Sequence, residues 1–292
     1  MPNQRAVPTL RRRRLGNELR RRRTAAGLES RAAAEAMGWA ESKYSRVENA
    51  KGRVTPQEVE SLLKFFGVED PQVVAALTNL ARDAGKRGWW RPYGDVLADS
   101  YRDFLDLEAD AELEQVTAPG LIPGLLQTGG YAREIIAATG LTLTQDEVHA
   151  LAELRRARQA ILTTRPGGQA PLRLWAVIHE AALHMTSVEQ PHMMREQLRH
   201  LLDMTDLPNV TIQVLDLKGT ANPGLVGLIE VVHFPAPWPT VVNLENLQGS
   251  HFVEGTEDVK VFEDAFARVV AAALSVDDSR LKIRNIMNGM NT

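Results

Sequence analysis

Between Thr9 and Gly67 the chain is cut into short lengths. Gly27 and Gly38 fall where a helix would stop, Lys51-Gly52-Arg53 reads as a turn, and Gly67 ends the next run. Segments of this kind fit a bundle of small helices. The first is expected from Thr9, with Leu10, Leu15, Leu19 and Ala26 as a sparse apolar stripe and Arg11 to Arg14 and Arg20 to Arg23 crowding the other faces. Ser30 is placed to cap a second, alanine-rich helix from Arg31 to Met37. A third runs from about Glu41 to Asn49. Thr55-Pro56-Gln57-Glu58 is a strong helix start, with Thr at the cap, Pro at the first position and Glu three residues after the cap. That fourth helix carries Val59, Leu62, Leu63 and Phe66, and a fifth, from Pro71 to Ala84, closes the unit.

Charge separates this segment from the rest. Residues 1–53 hold 14 Lys/Arg against 5 Asp/Glu, a balance of +9, while the remainder holds 20 against 32, a balance of −12. Such asymmetry points to a polyanionic partner for the basic part. At 292 residues and 44% hydrophobic content, two globular domains are expected. The absence of cysteine removes disulfides, thiolate metal sites and cysteine nucleophiles. Neither a secretory signal nor an uninterrupted apolar run of membrane-spanning length is seen, so a cytoplasmic, nucleoid-associated protein is expected. The expected organisation is an all-α domain over residues 1–84 with a basic N-terminal arm, a linker at 85–96, and a larger α+β domain over 97–292. Trp89 and Trp90 are too apolar for a free tether and are expected to dock on the second domain.

Short helices joined by tight turns and followed by an amphipathic one make the layout of a helix-turn-helix domain. The third helix then enters the major groove. Tyr44 and Val47 would pin it to the core. Glu41, Ser42, Lys43, Ser45 and Arg46 would make its front, with Arg46 matched to a guanine edge. Lys43, Asn49, Lys51 and Arg53 lie where phosphates pass, as do the backbone donors at Ser30 and Arg31. From Leu19 to Val68 the sequence resembles the xenobiotic-response-element (XRE) class, with the lambda-repressor-like fold. The resemblance rests on Leu19-Arg20-Arg21, Ala26-Gly27-Leu28-Glu29-Ser30, Met37-Gly38-Trp39, Tyr44 to Lys51 and Thr55-Pro56. It implies an ion pair between Arg23 and Glu48, a homodimer reading two half-sites, and double-stranded DNA as ligand. Trp39 and Ala40 depart from the pattern, in place of a smaller apolar residue and a Ser/Thr cap.

In the second domain, Tyr101 to Thr117 reads as a helix. An apolar loop follows at 119–128, then helices at about 129–139 and 144–163. Strands are expected at Leu172 to Ile178, Val210 to Leu215, Leu225 to Phe234 and Thr240 to Leu244, with a helix through Leu198 to Met204 between the first two. Two helices end the chain, Glu257 to Leu274 and Asp278 to Asn288. His179-Glu180-Ala181-Ala182-Leu183-His184 is no zinc motif, because its histidines are five apart rather than four. No catalytic set, metal or cofactor is expected. The domain resembles a companion domain of unknown function found behind such DNA-binding modules in bacterial, antitoxin-like regulators. The marks are Leu107-Glu108-Ala109, Pro123-Gly124-Leu125-Leu126-Gln127-Thr128, Arg158-Gln159, Glu180-Ala181-Ala182-Leu183 and Met194 to Leu201. It implies a small protein partner, encoded nearby, that modulates DNA binding. Leu121, Ile122, Leu125 and Leu126, with Trp238, are open to two readings, partner surface or core. A small-ligand pocket in this domain is the alternative, and a DNA-tethered hydrolase the third.

Overall fold

The computed structural model describes residues 10–83, 88–188, 190–246 and 249–290. The expected basic arm at 1–8, the expected end of the fifth helix at Ala84 and residues 85–87 of the expected linker lie outside them. The chain divides into two compact units, residues 1–89 and 90–292. The first is all helical and the second α+β.

Five helices form the first unit: α1 Leu10–Ala25, α2 Ser30–Ala36, α3 Glu41–Glu48, α4 Pro56–Phe65 and α5 Pro71–Asp83. Their inward stripes, led by Leu19, Tyr44, Leu62, Leu63 and Leu77, are fully buried. Each of the first four helices ends in the same way. A left-handed residue follows the last turn, and the amide after it donates back to a carbonyl five residues earlier. Gly27, Gly38 and Gly67 fill that place with φ of 69°, 65° and 74°. The bonds run from Leu28, Trp39 and Val68 to the carbonyls of Arg23, Ala34 and Leu63. At the end of α3 the residue is Ala50, with φ 59°, and Lys51 donates to Arg46 O at 2.8 Å. The expected turn glycine, Gly52, sits two residues later. Ser30 is the first residue of α2 rather than its cap; Glu29 holds the cap position without a side-chain bond. Thr55 and Glu58 form the reciprocal capping box that starts α4.

Gly16 is where α1 meets the C-terminal end of α3. A Cβ placed there would lie 2.4 Å from Glu48 O and 2.9 Å from Val47 O.

The second unit is a six-stranded mixed sheet in the order β3-β2-β1-β4-β5-β6. Its elements are α6 Asp99–Asp110, β1 Leu113–Ala118, α7 Gly129–Thr139, α8 Gln145–Arg158, β2 Arg173–His179, α9 Met193–Met204, β3 Val210–Leu215, β4 Ile229–His233, β5 Val241–Asn246, β6 Gly249–Val253, α10 Thr256–Ala272 and α11 Val276–Gly289. Strands β1, β2 and β3 are parallel, linked through α7–α8 and then α9; β4, β5 and β6 form an antiparallel meander on the other side of β1. Helix α10 covers one face through Val259, Phe266 and Val269, which pack on Val177, Leu215, Ile229, Val231 and Val242. The outer edge of β3 is closed by the α10–α11 joint. Val214 N–H donates to Ser279 Oγ at 2.9 Å, Val214 O accepts from Leu274 N–H at 2.9 Å, and Gln213 Nε2 donates to Leu274 O at 2.8 Å.

Strands β1 and β6 correct the sequence reading. The sequence reading takes Leu113 to Thr117 as the end of a helix, because Glu and Gln favour helices and interrupt a hydrophobic run. It is a strand in the middle of the sheet, where pairing on both sides overrides that preference. Strand β6 is short and half-exposed, and carries no apolar run to announce it. Of the two linker tryptophans, Trp90 packs on Leu97, Leu105 and Leu154 and donates Nε1–H to Asp106 Oδ1 at 3.1 Å. Trp89, in contrast, is 42% exposed.

On the sheet face opposite α10 lies a buried ionic cluster. Glu108 of α6 and Arg158 of α8 form an ion pair, with Nη2 to Oε1 at 2.5 Å and Nε to both carboxylate oxygens at 2.7 Å. Glu230 of β4 stands 3.7 Å from the same guanidinium. Gly124, in the turn of the Pro-Gly-Leu-Leu loop, leaves room for it: a Cβ there would sit 2.9 Å from Arg158 Nη1. The ring of Phe104 lies 4.8 Å from Arg158 Cζ.

Two outcomes are expected in denaturant unfolding of the full chain. Gly16→Ala forces α1 off α3 and destabilises the first unit by about 1–3 kcal/mol. Arg158→Met leaves buried carboxylates without their cation and destabilises the second by about 3–5 kcal/mol. A wild-type midpoint for either variant contradicts the corresponding contact.

Candidate nucleic-acid interface

Helix α3 divides its residues between two surroundings. Tyr44 and Val47 are 0% and 3% exposed and face the core, whereas Glu41, Ser42, Ser45, Arg46 and Asn49 are exposed. Arg46 lies along the helix, donating Nε–H to Ser42 O at 3.2 Å. Lys51 and Arg53 are exposed just beyond the helix end, on the turn that Ala50 directs. Ser30 and Arg31 stand at the start of α2. Ser30 Oγ is 3.4 Å from Glu41 Oε1, and Arg31 pairs with Glu35 one turn on, at 2.9 Å.

The helix is held from behind by one carboxylate. Glu48 accepts from Arg23 Nε at 2.7 Å, from Tyr44 Oη at 2.8 Å and from Arg20 Nε at 3.4 Å. Arg23 also donates to Leu28 O at 2.6 Å, which ties the α1–α2 turn into the same network. Burial pushes the Glu48 carboxyl up, but the hydrogen bonds from Arg23 and Tyr44 outweigh it and hold the group below its ordinary range. Burial also raises the Tyr44 hydroxyl, so it remains a donor.

Two residues take roles that the sequence does not announce. Arg20 reaches across from α1 and donates Nη2 to Asn49 Oδ1 at 2.9 Å, while Asn49 Nδ2 donates to Ser45 O at 2.8 Å. The pattern offers no sign of this, since Arg20 is one of four consecutive arginines. Lys43, expected at a phosphate, is engaged within the unit. Its Nζ lies 2.9 Å from Glu58 Oε1 and 3.7 Å from the centre of the Trp39 ring. Trp39, which departs from the XRE pattern, supplies that stacking surface. Ala40 holds the cap position of α3 with no side-chain bond to the helix.

In the second unit, Ile122, Leu125 and Leu126 are buried, Leu121 is half-buried and Trp238 is half-buried. The loop that carries them is stitched inward. Tyr131 Oη accepts from Ile122 N–H at 3.1 Å; Gln197 donates to Leu126 O at 2.6 Å and accepts from Thr128 N–H at 2.6 Å. Gln127 accepts from Arg155 at 2.7 Å, and Gln159 donates to Gln127 O. Ile122, Leu125 and Leu126 are packed into the core, and side-chain amides and a phenol tie the loop inward. His179 caps a short turn by accepting from Ala181 N–H at 3.2 Å, and Ala182 and Leu183 point inward from that turn, fully buried. Lys282 of α11 bridges Glu180 and Asp216 at 2.9 and 3.0 Å, fastening the ends of β2 and β3 to the last helix. Among the described residues no three His, Asp or Glu side chains are grouped to hold a metal, and no helix is long and apolar enough to cross a membrane.

A helix-turn-helix domain model matches residues 14–77, and the model of a domain of unknown function, DUF5753, matches residues 101–285. The chain belongs to the DUF5753 family. No curated protein and no solved structure matches it. The DUF5753 match spans α6 through most of α11, so the ionic cluster and the stitched loop lie inside the family's own domain. The helix-turn-helix match runs from Arg14 within α1 to Leu77 in the middle of α5 and contains the whole Glu48 network. The chain is thus a DNA-binding regulator in its first unit.

Glu48→Gln is expected to destabilise the helical unit by about 1–3 kcal/mol at neutral pH. Because the folded carboxyl is held down, its contribution is present above the ordinary Glu range of about 4 and is lost as pH falls through the lower folded value. Wild type and variant should therefore converge in thermal unfolding at acid pH. A gap that persists there would show that the network is not carried by charge.

Proposed function

We propose that this DUF5753 protein is a sequence-specific transcriptional regulator of the XRE type, antitoxin-like, that reads operator DNA in the cytoplasm with α3 as the recognition helix. The observation that carries this reading is the division of α3. Its back, Tyr44 and Val47, is sealed into the core, and its front presents Glu41, Ser42, Ser45, Arg46 and Asn49 to solvent. An exposed arginine fork matches the O6 and N7 acceptors of guanine in the major groove. Lys51 and Arg53 flank that front at the level of the phosphates. The basic balance of residues 1–53 favours approach to a polyanion, and the acidic remainder disfavours wrapping by it. A homodimer fits this mode, since two helices would reach half-sites about one turn, roughly 34 Å, apart.

The DUF5753 unit would regulate rather than catalyse, through a small protein partner. Support comes from exposed aliphatic side chains on the segment after β3, where Leu217, Leu225 and Val226 are 56%, 49% and 90% exposed.

The test is binding to the DNA upstream of the chain's own gene, by gel shift and by fluorescence anisotropy over a salt series. Arg46→Ala should weaken specific binding by about 1–3 kcal/mol and relax one base position. Lys51→Ala should weaken binding to all sequences and lower the salt slope by about one. Lys43→Ala should leave that slope nearer wild type, because its ammonium is held by Glu58. Unchanged operator affinity in Arg46→Ala would refute the assignment of α3. Adding the small protein encoded nearby should change the shift, and indifference to it would remove the partner from the reading.

A further inference from the structure

The ionic cluster under the sheet carries more acid than Arg158 can balance. Glu108, Glu114 and Glu230 are 2%, 1% and 7% exposed; Arg158, at 6%, is the buried cation that faces them, and Arg165, half-buried, adds a second positive charge that acts on Glu108. With all three ionised, buried carboxylates would outnumber the buried cation by two in an interior that solvates them poorly. The groups come from every layer packed there. Tyr101 and Glu108 belong to α6, Arg158 to α8, Glu114 to β1, Glu230 to β4 and Asn243 to β5. Register places Glu114 and Glu230 on one face, since Glu114 stands opposite Val232 and Glu230 opposite Val116, a diagonal pair. Glu108 takes the guanidinium at 2.5 Å, and Glu230 accepts from Asn243 Nδ2 at 2.7 Å. Glu114 Oε2 has no hydrogen-bond partner and is buried. A carboxylate oxygen in that position is costly; a carboxylic acid O–H can donate to its neighbour instead.

We propose that Glu114 and Glu230 share one proton at neutral pH, and that its release as pH rises loosens the α6–α8 layer from the sheet. The pair is a proton-binding site built into the DUF5753 fold. Burial, then the charges of Glu230 and Glu108, push Glu114 well above the ordinary carboxyl range; burial pushes Glu230 up to about 7 against the pull of Arg158. The sign follows from linkage. A carboxyl raised in the folded state adds stability that is full below its unfolded value, near 4.5, and is lost as pH climbs through the folded value.

The experiment is infrared spectroscopy of the full chain in heavy water at neutral pH, combined with hydrogen exchange resolved to peptides over 113–118 and 229–233. Wild type should show the carbonyl stretch of a neutral carboxylic acid, when ordinary Asp and Glu are ionised. Raising the pH should bleach that band. After correction for the intrinsic rate, it should also speed exchange in both strands. Glu114→Gln, a permanent mimic of the neutral form, should remove the band and keep the strands protected at high pH. Glu230→Gln should do the same and serves if the first variant fails to fold. Absence of the band in wild type overturns the shared proton. A band with strand exchange indifferent to pH overturns the loosening, as does a Gln variant that retains the wild-type pH dependence.

Discussion

The second unit is organised around a charge pair taken out of water. Arg158 and Glu108 join α8 to α6, Glu230 brings in the sheet, and Gly124 lets the Pro-Gly-Leu-Leu turn lie against the guanidinium. A buried ion pair adds little net stability compared with an apolar contact of the same volume. Its effect is directional. A planar fork with fixed donors accepts few arrangements of its neighbours, whereas leucines accept many. The marks that make the domain resemble its relatives converge here: Leu107-Glu108-Ala109, Pro123-Gly124-Leu125-Leu126 and Arg158-Gln159 are neighbours in space. Those marks belong to the architecture of the domain, since their side chains meet one another in its interior.

The helical unit uses the same device on a smaller scale. Glu48 collects Arg23, Tyr44 and Arg20 and thereby fixes α3 to α1. Arg20 then continues to Asn49, and Asn49 to Ser45, so that part of the exposed front is held in place before any ligand arrives. A side chain ordered in advance loses less freedom on binding. The cost is that Arg20 and Lys43 are occupied, and the number of arginines and lysines in this segment overstates the cations available to DNA.

Local rules carried much of this into the sequence. Glycine stops at 27, 38 and 67 bound three helices, and the Thr-x-x-Glu box at 55 starts the third of them. These signals act within five residues, so no tertiary knowledge is needed to read them. What escaped depends on distant partners. Glu114 and Gln115 make β1 look helical, and only Glu230 and His233 across the sheet explain them there. Ala50 adopts a glycine's conformation with its methyl buried, in a turn closed by Lys51 N–H on Arg46 O. Lys43 reads as a phosphate ligand until Glu58 and Trp39 are seen beside it. Arg46, Lys51 and Arg53 were legible as an exposed basic front, while the buried state of Ile122, Leu125 and Leu126 was one of two readings the residues allowed.

The sealing of β3 by the joint between α10 and α11 has a consequence during synthesis. Chains grow from the N-terminus, so the helical unit is complete and able to fold while the sheet still lacks its last elements. Until Leu274 and Ser279 emerge, Val214 N–H and O on the outer edge of β3 lack these partners, and an open edge of this kind recruits other strands. A chain interrupted before that point would therefore carry a complete helix-turn-helix unit beside a sheet edge left open. The completeness of this sheet edge therefore depends on α10 and α11, far in sequence from the helix-turn-helix unit.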